Sequence, residues 1–452
     1  MPGEWFFLDQ ITVVEQRVIG LFVLAACLWI FESIPIYATS VLIIVIELVF
    51  LSDAGWRPFR ESSDPNFGTL LSYKEVMGTF ASPIILLFLG GFFLALASTK
   101  YRLDQNLARV LLKPFGKKPQ GIMLGLMIIT AVFSMFMSNT ATTAMMLSIL
   151  TPVLVHFGAN DQGKVAFTLS IPIAANIGGL GTPIGTPPNA LALKYLVGEN
   201  SIGFGEWMSF GVPIVILLLM VGWLILNRFF PSDIKEVNLN IQSKFLRTRK
   251  AIIVYVTMSA TILLWLLDFL HGMNSYIVAT IPMAVFLIFN VITKEDLKKL
   301  SWDVLWLVSG GIALGMALDK SGLVSHLVGS IPFTEFSPYF IIVLTVILSM
   351  VMATFMSNTA TANLLLPIIL AIGISVASLE ELGGAKMLII GATLATSLGM
   401  ALPISTPPNS LAYASGLIET KDMARSGVAI GLIGVLLVFV LLVVLNNVGF
   451  FS

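Results

Sequence analysis

The chain has 452 residues, of which 57% are hydrophobic and 11% charged, with a mean hydropathy of +0.95. These values exclude a soluble globular domain and point to a polytopic membrane protein. The 25 basic and 25 acidic residues cancel, so no nucleic-acid partner is expected, and a single cysteine, Cys27, allows neither an intrachain disulfide nor a thiolate metal site.

In chain order, apolar runs predict spans near 14–31, 36–51 and 81–98, each close to the length needed to cross ~30 Å of hydrocarbon. The first is too long for a signal peptide and lacks a basic leader, and Cys27 in its middle is expected to be a small buried apolar residue. Residues 100–113, with Lys100, Arg102, Arg109 and Lys113 at helical spacing, read as an interfacial amphipathic helix. The stretch 121–155 is apolar at both ends but reads Ser134-Met135-Phe136-Met137-Ser138-Asn139-Thr140 at its centre. Each arm is about 15 residues, short for a crossing, so a re-entrant hairpin with its polar tip at membrane depth is expected. A span over 164–197 is interrupted by Pro183-Ile184-Gly185-Thr186-Pro187-Pro188-Asn189, because two consecutive prolines remove two backbone donors and force the helix to stop and restart. Carbonyls and amides freed at such a break suit a small cation and an anion, respectively.

A span near 207–227 follows, and then a polar connector at 230–250. Beyond it come spans near 251–270, 275–292 and 304–318, a second hairpin at 340–372, a second broken span at 386–416 and a last span at 427–447. The second half repeats the first. Phe136-Met137-Ser138-Asn139-Thr140-Ala141-Thr142 recurs as Phe355-Met356-Ser357-Asn358-Thr359-Ala360-Thr361, and the break recurs as Pro403-Ile404-Ser405-Thr406-Pro407-Pro408-Asn409. Gly90-Gly91 with Lys100 matches Gly310-Gly311 with Lys320 at the same offset, and both glycine pairs read as close helix contacts. Basic clusters at 100–118 and 228–250 are placed in the cytoplasm by the positive-inside rule. Ten crossings then put both termini outside and make the repeats inverted. The expected organisation is a first repeat at 1–229 with scaffold helices over about 14–118, a cytoplasmic linker at 230–250, and a second repeat at 251–452 with scaffold helices over about 251–318.

Neither polar tip nor either break carries an ionisable side chain. Glu32, Glu47 and Asp268 are expected at span ends or in helix packing, and His156, His271 and His326 at element edges. With no base beside a serine and no metal-ligand cluster, an enzyme is not expected.

At these motifs the chain resembles the divalent anion/sodium symporter family, the INDY-type carboxylate carriers, over essentially its whole length. The resemblance implies a homodimer in the plasma (inner) membrane, with an all-α elevator-type fold in which a transport domain moves against a scaffold. It implies sodium as coupling ion and C4-dicarboxylates such as succinate, malate or fumarate as substrate. By carry-over, Asn139, Thr140, Asn358 and Thr359 contact the carboxylates, within a substrate shell that includes Ser138, Ser357, Thr186, Thr406 and Pro407. Ser134, Ser138, Asn139 and Gly185 form one sodium site. Asn358, Ser405 and the backbone near Met356 form the other, with Thr354 or a backbone oxygen substituting where Ala353 aligns with Ser134. The residues leave open a sodium-independent exchanger, an anion channel, and citrate, sulfate or a keto acid as substrate.

Overall fold

Apolar runs bounded by capping residues become helices throughout the computed structural model, which describes residues 11–451 except 155–156, 159–160, 237–243 and 331–335. His156 and the middle of the expected linker lie outside the described residues. The first helix, Val13–Phe31, starts in a capping box between Thr12 and Glu15. Pro83–Lys100 and Pro338–Phe355 place proline at the first helical position behind a serine cap, where its missing N–H costs nothing. Among the described residues, eight helical segments are long and apolar enough to cross a membrane, the last two being Asn358–Ser375 and Thr420–Asn447. The chain is therefore a multi-pass membrane protein.

Both polar-centred stretches fold as hairpins. The first has arms Pro119–Ser134 and Asn139–Leu154, and the second Pro338–Phe355 and Asn358–Ser375. In each case both arms pack along the same following helix, Gly163–Gly179 or Gly384–Thr396, so the chain must turn back at the tip. The second hairpin departs from expectation in one respect: its arms have 18 residues each, long enough to span on length alone. It is the shared packing, and not shortness, that makes it a hairpin.

The two halves are linked reciprocally. Ile36–Ile46 of the first lies against Trp302–Lys320 of the second, and Ser275–Ile288 of the second lies against Pro83–Lys100 of the first. Likewise Pro187–Tyr195 packs on the second hairpin and Pro407–Tyr413 on the first. Such exchange is what a two-fold relation between repeats produces. The paired glycines make the contacts possible: a Cβ at Gly90 would strike the Ala279 backbone, and one at Gly310 would strike Ser40.

Three expectations about single residues need correction or refinement. Cys27 is exposed on its helix and not buried, since the neighbouring helices cover the face carrying Leu21, Ala25 and Trp29. Glu47 is completely buried, where the Ile36–Ile46 helix widens into one π turn at Glu47–Leu51, and neither carboxylate oxygen has a hydrogen-bond partner among the described residues. Asp268 has a packing role, accepting a hydrogen bond from the Phe204 amide (3.0 Å) at the start of Phe204–Phe229. The basic segment after Lys100 does form a helix, Leu103–Leu112, and Lys100 itself bonds Asp296 (2.5 Å) and the Val291 carbonyl (2.9 Å). Burial alone would raise the Asp296 pKa, but the bonds from Lys100 and Thr293 outweigh it and hold this carboxyl below the usual carboxylate range.

Candidate functional site

Ser138 and Ser357 lie where the chain turns from one hairpin arm to the next, and each hydroxyl accepts from an amide three residues on, Ala141 and Ala360 (both 3.2 Å). These are N-cap bonds, so both Ser-Asn-Thr triplets are starts of long helices. First-turn amides of a helix have no intrahelical acceptor, and the aligned peptide dipoles make that end partly positive. Thr186 and Thr406 similarly precede the restarted half-helices. There the two prolines withhold their amides, leaving the hydroxyls and the dipole.

All four helix starts converge on one cavity of about 280 Å³. Every residue expected in the substrate shell lines it: Ser138, Asn139 and Thr140 from the first tip, Ser357, Asn358 and Thr359 from the second, and Thr186, Thr406 and Pro407 from the breaks. The opposite wall comes from Tyr37, Phe88, Phe92, Ser301, Asp303, Val304 and Leu307. No lysine or arginine lines the cavity among the described residues. An anion placed here would be met by neutral donors and helix ends only.

Behind the first tip, the Ser134 hydroxyl lies 2.5 Å from Asn139 Oδ1 and 2.7 Å from the Ala175 carbonyl. One hydroxyl proton cannot serve both acceptors fully, so three oxygens meet with lone pairs to spare. A neutral cluster of this kind suits a monovalent cation, which removes the conflict. Gly185 completes this side of the cavity, and its carbonyl approaches the same Gly179 backbone that Asn139 covers. In the second half the hydroxyl comes from the break instead: Ser405 Oγ donates to the Thr354 carbonyl (2.6 Å), and Asn358 Oδ1 is buried with no partner among the described residues. Thus the first half has a hydroxyl on the hairpin arm, Ser134, and a glycine on the break, Gly185, whereas the second has Ala353 on the arm and a hydroxyl on the break, Ser405. The Thr354 side chain is turned away to its own helix, bonding the Met350 carbonyl (2.9 Å), so this residue offers its backbone oxygen. Met356 is buried beneath the tip and does not reach the cavity lining.

The breaks differ from expectation in how their carbonyls are used. Asn189 Nδ2 donates to Gly179 O (2.9 Å) and Thr182 O (2.8 Å), and Asn409 Nδ2 to Met400 O (2.8 Å) and Leu402 O (2.9 Å). The last residue of each Thr-Pro-Pro-Asn motif therefore closes the gap that its prolines open. The Trp207 indole takes the Leu180 carbonyl as well (3.0 Å). Most freed carbonyls are thus occupied, and what remains for a ligand is side-chain oxygen and helix ends.

Two residues were not found by sequence reasoning. Asn176 Nδ2 bridges Thr406 Oγ1 and Asn409 Oδ1 (both 3.1 Å), tying the first broken span to the second. Its mirror position holds Thr396, which bonds within its own helix, so comparison of repeats passes over it. An amide inside the apolar run Ile173-Ala174-Ala175-Asn176-Ile177 was the available signal. Asp303 is the second, a first-turn residue of Trp302–Lys320 that lines the cavity.

Asn409→Ala removes the only side-chain donor, among the described residues, to the Met400 and Leu402 carbonyls. It is expected to destabilise the fold by about 1–3 kcal/mol, the cost of leaving the buried Met400 carbonyl unmet while the Leu402 carbonyl keeps its bond from the Ser405 amide, and Asn189→Ala, which strips the Gly179 carbonyl, should act alike. Both should appear as lowered midpoints in thermal unfolding of the purified protein, and an unchanged midpoint would contradict this role.

Comparison with known proteins agrees with this architecture. Two relatives are similar along most of their length. The sodium-dependent dicarboxylate transporter SdcS of Staphylococcus saprophyticus is 31% identical, with 93% of this chain and 85% of that protein covered. The sodium-dependent high-affinity dicarboxylate transporter 3 of Caenorhabditis elegans is 30% identical, with 94% and 82% covered. Among solved structures, the YdaH transporter of Alcanivorax borkumensis superposes with a TM-score of 0.61 at 13% identity, over 92% of this chain and 99% of that one, which shows a shared fold. The citrate transporter family model matches residues 26–382. The chain belongs to the citrate transporter family.

Proposed function

We propose that this protein is a sodium-coupled importer of small dicarboxylates. The observation that carries the reading is the pairing of an anion-sized cavity, lined by no lysine or arginine among the described residues, with two oxygen clusters at its hairpin tips. A dianion gathered from water into such a site needs compensating positive charge, and bound sodium ions supply it. Asn139 and Asn358 each line the cavity at a helix start, and the amide oxygen of Asn139 meets the Ser134 hydroxyl while that of Asn358 is buried with no partner among the described residues. The names of the two relatives agree with this substrate class and this ion.

In this reading Ser134, Ser138, Asn139 and Gly185 hold one sodium ion. Asn358, Ser405 and the backbone oxygens of Thr354 and Met356 hold the other. Thr140, Thr359, Thr186 and Thr406 hydrogen-bond the carboxylates, with Ser138, Ser357 and Pro407 shaping the pocket. The hairpins and broken spans form a transport body. Residues 14–118 and 251–318 supply the scaffold, the segment 230–250 joins the two repeats, and the transport body slides past the scaffold in a homodimer of the plasma (inner) membrane. Phe88, Phe92, Val304 and Leu307 give the opposite wall an apolar face past which the body would slide, and the bond from Lys194 Nζ to the Ile312 carbonyl (2.7 Å) would have to break as it moves.

Uptake into proteoliposomes tests the proposal. An inward sodium gradient should drive accumulation of labelled succinate, and affinity in sodium should exceed that in choline at least tenfold, a coupling of about 1.4 kcal/mol or more. Equal affinity in the two salts, with counterflow intact, would favour a sodium-independent exchanger. Non-saturable flux would favour a channel.

Asn139→Ala and Asn358→Ala are each expected to abolish uptake while the protein still inserts, since each truncation strips one cation cluster and loosens one anion-facing helix start together. Wild-type uptake in either variant would remove that tip from the site.

A further inference from the structure

The wall opposite the hairpin tips contains a residue that the chemistry of an anion site does not ask for. Among the described side chains lining the cavity, Asp303 is the only Asp, Glu, Lys, Arg or His, and it is acidic. It is exposed, and no hydrogen bond or ion pair joins it to any described residue. Phe88, Phe92, Val304 and Leu307, which line the same wall, are apolar, and no described lysine or arginine on it can pair with the carboxylate. An acidic residue in a first helical turn also complements the helix dipole. The repeat shows that the fold does not require one: at the offset that aligns Gly90 with Gly310, position 303 corresponds to Pro83.

We propose that Asp303 is a charge filter that favours dianions over trianions. This rests on the reading of the cavity as a dicarboxylate site. The repulsion between a fixed carboxylate and a bound anion grows in proportion to the anion's charge. The carboxylate therefore costs a trianion three units of repulsion and a dianion two, so its presence lowers trianion affinity by the larger factor and its removal helps the trianion more. The same carboxylate opposes anion entry before sodium is bound, and so favours cations binding first.

The test uses the full-length protein in proteoliposomes. Inhibition of labelled succinate uptake in sodium is measured with unlabelled succinate, a dianion, and with tricarballylate, a trianion, at a pH where both are fully ionised. In Asp303→Asn the preference for succinate over tricarballylate should shrink roughly three- to tenfold, the effect of one unit charge at close range in a partly hydrated site. Asp303→Glu, which keeps the charge, should retain the wild-type preference. Ser301→Asp adds a second carboxylate to the same wall and should widen the preference, which keeps the test informative even where the asparagine variant folds poorly. A preference that does not change in Asp303→Asn or in Ser301→Asp overturns the filter, as does an equal loss of affinity for both anions, which is the signature of a helix-start role. Absence of sodium-dependent succinate uptake in the wild type overturns the dicarboxylate reading itself and is seen before any variant is compared.

Discussion

Hydrocarbon offers no partner to a backbone amide or carbonyl, so any helix interrupted inside a membrane must find its missing hydrogen bonds within the protein. This constraint governs the molecule, because the chain interrupts its helices four times at one place. At the two hairpin tips, Ser138 and Ser357 cap the restarting helices. At the two breaks, the side-chain nitrogens of Asn189 and Asn409 each hold two carbonyls. With those needs met locally, the acceptors left over belong to a few side chains, among them Asn358 Oδ1. Site and fold are thus two results of one accounting of polar groups.

Charge follows the same logic. A lysine or arginine in the cavity would bind a dicarboxylate without help, and would bind it in every state. Neutral hydroxyls, amides and helix starts bind it well only when mobile cations are present, which makes ion occupancy a condition of substrate occupancy. In the proposed sites the two clusters would reach this end by different residues. Ser134 supplies a hydroxyl from a hairpin arm and Gly185 leaves room on the break, while Ala353 gives up the hydroxyl and Ser405 restores it from the other side.

Much of this was legible in the sequence because it was written twice. The Ser-Asn-Thr and Thr-Pro-Pro-Asn motifs are short, polar and surrounded by apolar residues, so their placement on a common cavity follows from the scarcity of places where such backbone is tolerated in a membrane. The glycine pairs were legible for a similar reason, since Gly90 and Gly310 recur at one offset and each admits a crossing helix. What escaped was whatever occurs once. Asn176 and Asp303 face Thr396 and Pro83 across the repeat, so no doubling marked them. The complete burial of Glu47 likewise depends on how distant helices pack around one π turn, which a hydropathy run does not encode. The lengths of the second hairpin's arms were misjudged because a polar tip makes an apolar run look shorter than the helix it becomes.

The central claim is that cations complete the anion site, and it is tested most directly by reciprocity. Sodium binding to the purified protein, measured with and without saturating succinate, should tighten by the same factor by which sodium tightens succinate, because coupling between two ligands is a single free energy. The account predicts equal factors, each at least tenfold. Sodium affinity indifferent to succinate would contradict it.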